Sequence, residues 1–285
     1  MKLASYRIGG EPAFGAIVGD GVVTMSGRLR GSPATLREAL AAGTLEDMRA
    51  LAAAGRTDHT LAQVRFLPAI PDPDKILCVG VNYRSHAAEV GRELPPQPSV
   101  FARLTNTLVG HDGEMIRPAI SVQFDFEGEL AVVIGRAARH LTPQQALGCV
   151  AGYTCFVDGS VRDFQKHSVT AGKNFPATGP LGPWITTADE IPDPGRLELT
   201  TRLNGGVVQH STTDQMIYDV PKIISYLSDI TPLVPGDVIA TGTPEGVGHG
   251  RKPPLWMKAG DALEVEISRI GTLRTRIVDE QGMSR

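Results

Sequence analysis

The chemistry most visible in the sequence is a set of three carboxylates suited to a divalent cation. Glu127 and Glu129 lie two residues apart at the start of the apolar run 130–134, which is typical of a buried strand. On a strand both side chains point to one face, where like charges repel and resist desolvation unless a cation joins them. Asp158 follows a second β-prone run, so we expect its carboxylate at a strand end. Three oxygen ligands suit Mg²⁺, with Mn²⁺ as the alternative. A solvated strand edge with a turn-capping aspartate explains the spacing equally well.

A histidine and a glutamate form the second candidate group. His86 and Glu89 are three residues apart, which makes them neighbours on one side of a short helix. A carboxylate beside an imidazole selects its tautomer and raises its basicity, so the pair suits a general base. Taken alone, this spacing is more often an ordinary surface pair.

Two loops rich in glycine carry further polar groups. Lys173 lies in one, where a lysine is usually solvated but can also hold an anionic substrate. The other, residues 241–248, follows an apolar strand. Its backbone N–H groups are expected to be exposed to a carboxylate or an oxyanion, and a plain turn is the alternative.

Alternating apolar and polar residues predict many of the strands that position these groups. The runs 263–267 and 273–277 flank Gly271 and predict a hairpin. A third run, 197–203, ends at the Asn-Gly-Gly turn signal of 204–206. Glycine and proline are plentiful, with 32 and 21 residues, which favours short strands with turns.

Helices are fewer and have recognisable starts. Thr35 and Thr142 are each followed three residues later by Glu or Gln, the spacing of a capping box. An Ala-rich helical stretch is expected over 35–54. One apolar helix face is predicted from the spacing of Val220, Ile223, Ile224 and Leu227.

A proline-rich connector indicates two domains in an α+β, β-rich fold. Residues 68–74 contain three prolines, which make an extended and stiff linker. We therefore predict a small N-terminal αβ domain over 1–70 and a main domain over 71–285.

Composition excludes several classes of protein. The 285 residues carry 28 Lys and Arg against 31 Asp and Glu, a net charge of −3, so no nucleic-acid partner is expected. No apolar run is long enough to cross a bilayer, and the N-terminus does not resemble a signal peptide. The three cysteines are too few for a disulfide framework. We expect a cytoplasmic protein with no membrane partner.

Taken in order, the segments resemble the fumarylacetoacetate hydrolase family over residues 76–278. The resemblance is carried by V-N-Y-R-S-H-A-A-E at 81–89, D-F-E-G-E-L-A-V-V-I-G at 125–135, V-D-G-S-V-R-D-F-Q at 157–165, G-K-N-F at 172–175, G-P-L-G-P-W at 179–184 and P-G-D-V-I-A-T-G-T-P-E-G-V-G at 235–248. Each motif is weak alone, whereas the ordered set is specific. One departure is Arg103, at a position where many members carry a lysine.

The resemblance implies a rolled mixed β-structure, a homodimer and roles for particular residues. The main domain becomes a catalytic domain in which His86, Glu89 and Lys173 are catalytic. The metal ligands are Glu127, Glu129 and Asp158. The substrate, a small oxo acid, is contacted by Tyr83, Arg162, Gln165, Lys173 and Thr243.

Our leading hypothesis is a metal-dependent hydrolase that cleaves a C–C bond in an acylpyruvate-like 1,3-dicarbonyl acid. The cation stabilises the enolate that the broken bond leaves behind, and His86, oriented by Glu89, takes a proton from the attacking water. Lys173 and Arg162 hold the anionic oxygens of the substrate. One alternative is a decarboxylase or isomerase of oxaloacetate-like or 2-hydroxydienedioate acids, such as 2-hydroxyhepta-2,4-diene-1,7-dioate. Another is a non-catalytic protein stabilised by a metal.

Overall fold

The computed structural model describes residues 1–94 and 96–281, which form nineteen strands and seven α-helices. The strands are β1 (Lys2–Ile8), β2 (Glu11–Val18), β3 (Gly21–Thr24), β4 (His59–Thr60), β5 (Arg65–Phe66), β6 (Ile76–Gly80), β7 (Ser99–Arg103), β8 (Leu108–Val109), β9 (Gly113–Arg117), β10 (Phe124–Asp125), β11 (Gly128–Ile134), β12 (Val150–Val157), β13 (Ser160–Val161), β14 (Gly179–Thr187), β15 (Glu198–Leu203), β16 (Gly206–Thr212), β17 (Val238–Ala240), β18 (Ala262–Ile267) and β19 (Gly271–Asp279). The helices are α1 (Leu36–Ala41), α2 (Leu45–Ala53), α3 (Arg84–Glu89), α4 (Pro143–Ala146), α5 (Arg162–Gln165), α6 (Val169–Lys173) and α7 (Val220–Ile230).

The largest sheet is mixed and has twelve strands. Its order is β4-β3-β2-β1-β14-β12-β11-β17-β6-β7, with β5 paired to β1 and β8 paired to β14. Most neighbours are antiparallel, whereas β17 runs parallel to β6. The expectation of an α+β, β-rich mixed structure is confirmed.

A second sheet packs over the first and contains the hairpins read from the alternating residues. Its order is β16-β15-β18-β19-β9. The runs on either side of Gly271 are β18 and β19, and the run before 204–206 is β15, which pairs with β16. Inward residues such as Val265 and Leu273 are buried and join Leu130 and Val132 of β11 in one core cluster.

The N-terminal strands extend the main sheet. Strand β1 pairs with β14, with Lys2 opposite Thr186. A single core cluster contains Leu36 of α1 as well as Val133 of β11. The division into 1–70 and 71–285 stays a prediction, and residues 282–285 lie outside the described part of the chain.

The helix starts lie where the threonines indicated. Thr35 Oγ1 accepts a hydrogen bond from the Glu38 N–H at 3.2 Å, and Thr142 forms a capping box with Gln145. The predicted apolar face of α7 is buried. The Ala-rich stretch is divided into α1 and α2, because Gly43 between them takes a φ of +68°. Within the described residues no helix is long and apolar enough to cross a membrane.

The central strand β11 determines where the candidate residues meet. It pairs with β12, with Gly128 opposite Val157, and with β17, with Ala131 opposite Ala240. Both pairings are antiparallel, so the start of β11 lies beside the ends of β12 and β17. Because β6 is parallel to β17, its C-terminal end reaches the same edge of the sheet. Loops from four strands therefore converge there.

Candidate active site

The three predicted carboxylates lie together at this edge. Glu127 and Glu129 flank Gly128 at the start of β11, and Asp158 directly follows β12. The Asp158 N–H donates to the Glu127 carbonyl oxygen at 2.9 Å, which fixes the two backbones relative to each other. One ligand oxygen from each carboxylate lies within 4.8 Å of the others, and all three residues are buried. The alternative of a solvated strand edge does not describe this group.

Two cationic side chains neutralise Glu127. The Lys173 Nζ lies 2.6 Å from Glu127 Oε2, and an Arg162 guanidinium nitrogen lies 2.6 Å from Glu127 Oε1. Burial raises the pKa of Glu127, but the charges of Lys173 and Arg162 outweigh it and hold that pKa at about 2. Lys173 also donates to Asp158 Oδ2 at 2.7 Å. Burial lowers the pKa of Lys173, and the neighbouring carboxylates outweigh it, so its pKa lies above the ordinary value.

Glu129 is not balanced by a cation in the same way. Its Oε2 accepts the Gly242 N–H at 2.9 Å, and its other oxygen has no hydrogen-bond partner among residues 1–94 and 96–281. Burial raises the pKa of Glu129 well above its ordinary value, and the charges of Asp158 and Glu127 raise it further. A buried carboxylate with too little positive charge nearby is what a site for a hard divalent cation requires. The donor set therefore fits Mg²⁺ or Mn²⁺.

Asp125 organises the site, although the sequence analysis assigned it no role. It is fully buried on β10 and accepts Arg162 Nε at 2.7 Å. It also accepts the backbone N–H groups of Gly248 at 2.7 Å and His249 at 2.9 Å. Asp125 thus joins the arginine to the glycine-rich loop. The available signal was its place two residues before Glu127 in the D-F-E-G-E motif.

Arg162 makes more hydrogen bonds within the protein than its predicted role in substrate binding implied. Beyond its bonds to Asp125 and Glu127, it donates through Nη1 to Gln165 Oε1 at 2.8 Å. All three nitrogens of the guanidinium group therefore have a protein acceptor. Arg162 and Gln165 both line the cavity. Their contact with the substrate stays a prediction.

The histidine and glutamate are brought together as predicted from their spacing. His86 Nδ1 lies 3.0 Å from Glu89 Oε2 on α3, and His86 is buried. Glu89 is itself held, because its Oε1 accepts the Gly246 N–H at 2.9 Å. The Nδ1 is assigned as the donor to this carboxylate, which leaves Nε2 as the acceptor. Nε2 has no hydrogen-bond partner in the described chain.

The glycine-rich loop at 241–248 binds the chain's own acids. Its N–H groups at Gly242, Gly246 and Gly248 donate to Glu129, Glu89 and Asp125 respectively. The expectation that these donors are exposed to a ligand is wrong, because folding places three carboxylates against them. Thr243 is also anchored, since its Oγ1 donates to the Gly128 carbonyl at 2.9 Å and accepts from Gln209 Nε2 at 2.8 Å.

These groups surround one cavity of about 250 Å³. Of the predicted site residues, its lining includes His86, Glu127, Glu129, Asp158, Arg162, Gln165, Lys173 and Thr243. Glu89 stands behind His86. Tyr83 lies in the hydrophobic core and is not part of this lining, and its buried hydroxyl has no hydrogen-bond partner in the described chain. The lining also contains Arg92, Lys166 and His249, to which the sequence analysis gave no role.

Comparison with known proteins agrees with this arrangement. Residues 75–278 match the family model for the fumarylacetoacetate (FAA) hydrolase C-terminal domain. A human mitochondrial oxaloacetate tautomerase is 37% identical over an alignment that covers 98% of this chain and 92% of that protein.

Solved structures extend the similarity to the whole fold. A fumarylacetoacetate hydrolase from Exiguobacterium antarcticum superposes with a TM-score of 0.88 at 33% identity, covering 98% of this chain and 100% of that one. A maleylpyruvate hydrolase from Sphingobium, solved with manganese(II) and pyruvate, gives a TM-score of 0.82 at 28% identity, covering 99% and 100%. The similar proteins thus include both a tautomerase and hydrolases.

Proposed function

The chain belongs to the fumarylacetoacetate hydrolase family, and on that premise we propose that it is a divalent-cation-dependent isomerase. Its reaction is the interconversion of the enol and keto forms of a 2-oxo dicarboxylic acid of the oxaloacetate class. The observation that carries the proposal is that His86, held by Glu89, shares one cavity of about 250 Å³ with the three carboxylates. A proton carrier and a charge-stabilising site therefore face the same small molecule. The tautomerase that is 37% identical over 98% of this chain supports the same choice.

The proposed chemistry needs one proton to leave carbon and one to reach oxygen. In the direction from keto to enol, C3 of the substrate loses a proton while the 2-oxo oxygen gains one. Glu127, Glu129 and Asp158 would hold a divalent cation, which would supply Lewis-acid stabilisation of the charge that develops on that oxygen.

His86 is the group that we assign to the proton at C3. Its Nδ1 is oriented by Glu89, and the backbone N–H of Gly246 in turn fixes Glu89. The free Nε2 takes the proton from C3 and delivers it to the 2-oxo oxygen, and in the reverse direction it carries the proton from that oxygen to C3. The carboxylate of Glu89 stabilises the imidazolium that exists between the two transfers.

Lys173 is the candidate partner for the substrate's oxygen. Its ammonium group lies between Glu127 and Asp158 and lines the cavity. In the proposed reaction this ammonium group donates to an anionic oxygen of the substrate. Lys173 is buried and its pKa is raised, so it carries its charge at neutral pH.

C–C bond hydrolysis, which the sequence analysis put first, is the second candidate. The same His86 and Glu89 can take a proton from a water molecule instead of from carbon. The maleylpyruvate hydrolase whose structure contains manganese(II) and pyruvate supports this candidate. Decarboxylation of oxaloacetate, isomerisation of a hydroxydienedioate and a non-catalytic metal-stabilised role remain further alternatives.

A single assay series distinguishes these reactions. Enol oxaloacetate is added with Mg²⁺, Mn²⁺ or EDTA, and ketonisation is followed by the loss of enol absorbance. Acylpyruvates and hydroxydienedioates are tested in parallel, and products are identified by mass. We expect cation-dependent ketonisation that is lost in His86→Ala and retained in His140→Ala, because His140 is an exposed histidine paired with Asp229. Cleavage of acylpyruvates without accelerated ketonisation would replace the proposal by the hydrolase.

The proposal includes a homodimer in the cytoplasm that uses Mg²⁺. The human relative is described as mitochondrial, so its location does not support the cytoplasmic part. Light scattering of the purified protein tests the dimer, and titration with Mg²⁺ and Mn²⁺ tests the choice of metal.

A further inference from the structure

Two cationic side chains line the exposed side of the cavity and form no hydrogen bond or ion pair within the described residues. Arg92 and Lys166 are exposed lining residues. Neither side chain has a hydrogen-bond or ion-pair partner within residues 1–94 and 96–281. We call them the outer cations. Their freedom sets them apart from every other lysine or arginine of the lining.

The inner cations have no comparable capacity for a second anionic group. Arg162 donates to Asp125, Glu127 and Gln165, and Lys173 donates to Glu127 and Asp158. With Arg103, these side chains are three positive charges against the four buried carboxylates of Asp125, Glu127, Glu129 and Asp158. With all four carboxylates ionised, the formal charge of the inner cluster is one negative, and it becomes one positive when a divalent cation is added. One net positive charge balances the charge of one substrate carboxylate and not that of two.

The backbone fixes Arg92 relative to the proton carrier. Helix α3 ends in a Schellman motif, in which Gly91 N–H donates to Ala88 O at 3.2 Å and Arg92 N–H donates to Ala87 O at 2.9 Å. Gly91 takes the required positive φ of +65°. Arg92 is therefore held on the same short element as His86, and its long side chain lines the cavity that His86 enters.

Lys166 approaches the cavity from a different element. It caps the C-terminal end of α5 and directly follows Gln165, which also lines the cavity. The outer cations thus come from two segments, one following α3 and one following α5. An anionic group at the exposed side of the cavity meets positive charge from both segments.

We propose that Arg92 and Lys166 bind the second carboxylate of the substrate and so select dicarboxylic over monocarboxylic 2-oxo acids. The inference rests on the proposed function for the identity of the reacting end, which lies at the three carboxylates. Arg92 binds a carboxylate as a planar fork and Lys166 as a point charge. Both act as specificity residues, because the proton at C3 is assigned to His86.

Binding of unreactive acids tests this inference without any turnover. Malate and lactate share a 2-hydroxy acid group, but only malate has a second carboxylate. In calorimetry with Mg²⁺, we expect the wild-type protein to bind malate at least roughly tenfold more tightly than lactate. Arg92→Gln and Lys166→Gln each reduce malate affinity by roughly threefold to tenfold, and the double variant loses the preference. Lactate affinity stays the same in all of them.

Arg84→Gln is the matched control for the loss of charge. Arg84 is exposed, lies on α3 like His86, and is not part of the cavity lining. We expect its affinities for both acids to equal those of the wild-type protein. Equal binding of malate and lactate by the wild-type protein would overturn the inference, as would an undiminished preference in the double variant.

A kinetic arm separates this inference from the proposed function. The 4-methyl ester of oxaloacetate keeps the reacting 2-oxo acid end and lacks the charge of the second carboxylate. The double variant is expected to raise KM for oxaloacetate by at least roughly tenfold, with kcat and the ester's kcat/KM almost unchanged. An equal loss with both substrates overturns the inference. If the wild-type protein accelerates ketonisation of neither oxaloacetate nor its ester, the proposed function fails. The calorimetry then still decides whether the outer cations bind a second carboxylate.

Discussion

Arg103 and Asp158 form an ion pair from which solvent is excluded. Arg103 Nη1 lies 2.5 Å from Asp158 Oδ1, and the exposed fractions of the two side chains are 0% and 1%. The same guanidinium donates to the Gly159 carbonyl at 3.1 Å and to Thr178 Oγ1 at 2.7 Å. Acceptors spread around a planar group fit the fork of an arginine better than the point charge of a lysine. The pair fixes one candidate metal ligand in place.

Removal of Arg103 should destabilise the protein strongly. Arg103→Met leaves Asp158 with Lys173 as its remaining cation, so we expect a loss of about 3 kcal/mol, near the lower end for a broken buried pair. Arg103→Lys should lose less, because a charge remains. Urea unfolding in EDTA measures both. Arg117→Met removes the half-exposed pair with Asp279 and should cost less than about 1 kcal/mol. Equal losses at positions 103 and 117 would contradict the buried role of Arg103.

Glu129→Gln should have opposite effects with and without a divalent cation. Because the pKa of Glu129 is raised, its charge destabilises the folded chain at neutral pH when no cation is bound. Glutamine removes that charge and can still accept the Gly242 N–H. In EDTA we expect a melting temperature at or above that of the wild-type protein. Added Mg²⁺ should raise the wild-type value, as ligand binding to the folded state does, and leave the variant almost unchanged.

Differential scanning fluorimetry over a range of Mg²⁺ concentrations checks this result. Glu266→Gln is the control, because Glu266 is an exposed glutamate of β18 that pairs with Arg202. The control should respond to Mg²⁺ like the wild-type protein. A Glu129→Gln variant that gains the same stabilisation from Mg²⁺ would remove Glu129 from the ligand set.

His86→Ala should separate catalysis from metal binding. Loss of the proposed proton carrier is expected to lower turnover by roughly 10²–10⁴-fold. The rise in melting temperature on adding Mg²⁺ should be retained, because His86 is not one of the three carboxylates. Stopped-flow ketonisation and fluorimetry measure the two effects. Wild-type turnover in His86→Ala would exclude the histidine from the reaction.

Glu89→Gln tests the positioning of that histidine. The amide oxygen can still accept the Gly246 N–H, but it no longer stabilises a positively charged imidazole. We expect a fall in kcat of roughly tenfold with little change in KM, since Glu89 stands behind His86 and not in the cavity. Glu89→Ala should lower kcat further, because the Gly246 N–H then loses its acceptor. Two variants with the same kcat as the wild-type protein would show that Glu89 does not position His86.

His111 should make the protein sensitive to mild acid. Burial lowers the pKa of His111 to about 4, although the nearby Asp112 partly opposes this. Its Nδ1 accepts the Arg274 N–H at 3.1 Å, a bond that protonation of Nδ1 would remove. The unfolded chain binds this proton near pH 6.5 and the folded chain only near pH 4. The contribution of neutral His111 is therefore fully present above pH 6.5 and is lost as the pH falls towards 4.

The expected loss is on the order of 3 kcal/mol between the two pH limits. Urea unfolding between pH 4 and pH 7 measures it. His111→Asn should flatten this pH dependence, whereas His140→Asn should not, because His140 is exposed. An unchanged slope in His111→Asn would assign the acid sensitivity to other groups.

Local structure followed from the sequence where a pattern repeats within one element. The alternating runs became β15, β18 and β19, and the spaced apolar residues became the buried face of α7. The helix caps at Thr35 and Thr142 were predictable for the same reason, since a capping side chain bonds to a residue only three positions away. His86 and Glu89 meet because one turn of helix joins them.

Local sequence patterns did not predict which charged residues pair across the fold. Arg103 lies 55 residues from Asp158, and Arg162 lies 37 residues from Asp125. The glycine-rich loop looked available to a ligand, yet its N–H groups bind Glu89, Asp125 and Glu129. Tyr83 was assigned to the substrate by resemblance, whereas it lies in the core and outside the cavity lining.

The sequence by itself determined which side chains can do chemistry and which short elements carry them, because residue type and nearest-neighbour spacing are properties of the chain. Only the tertiary structure decided which carboxylates are neutralised, which donors are already occupied and which cations stay free. Electrostatic energy depends on distance through space and on burial, and neither quantity can be counted along the sequence. The antiparallel pairing of β11 with β12 and β17 is what brings those distances down to a few ångströms.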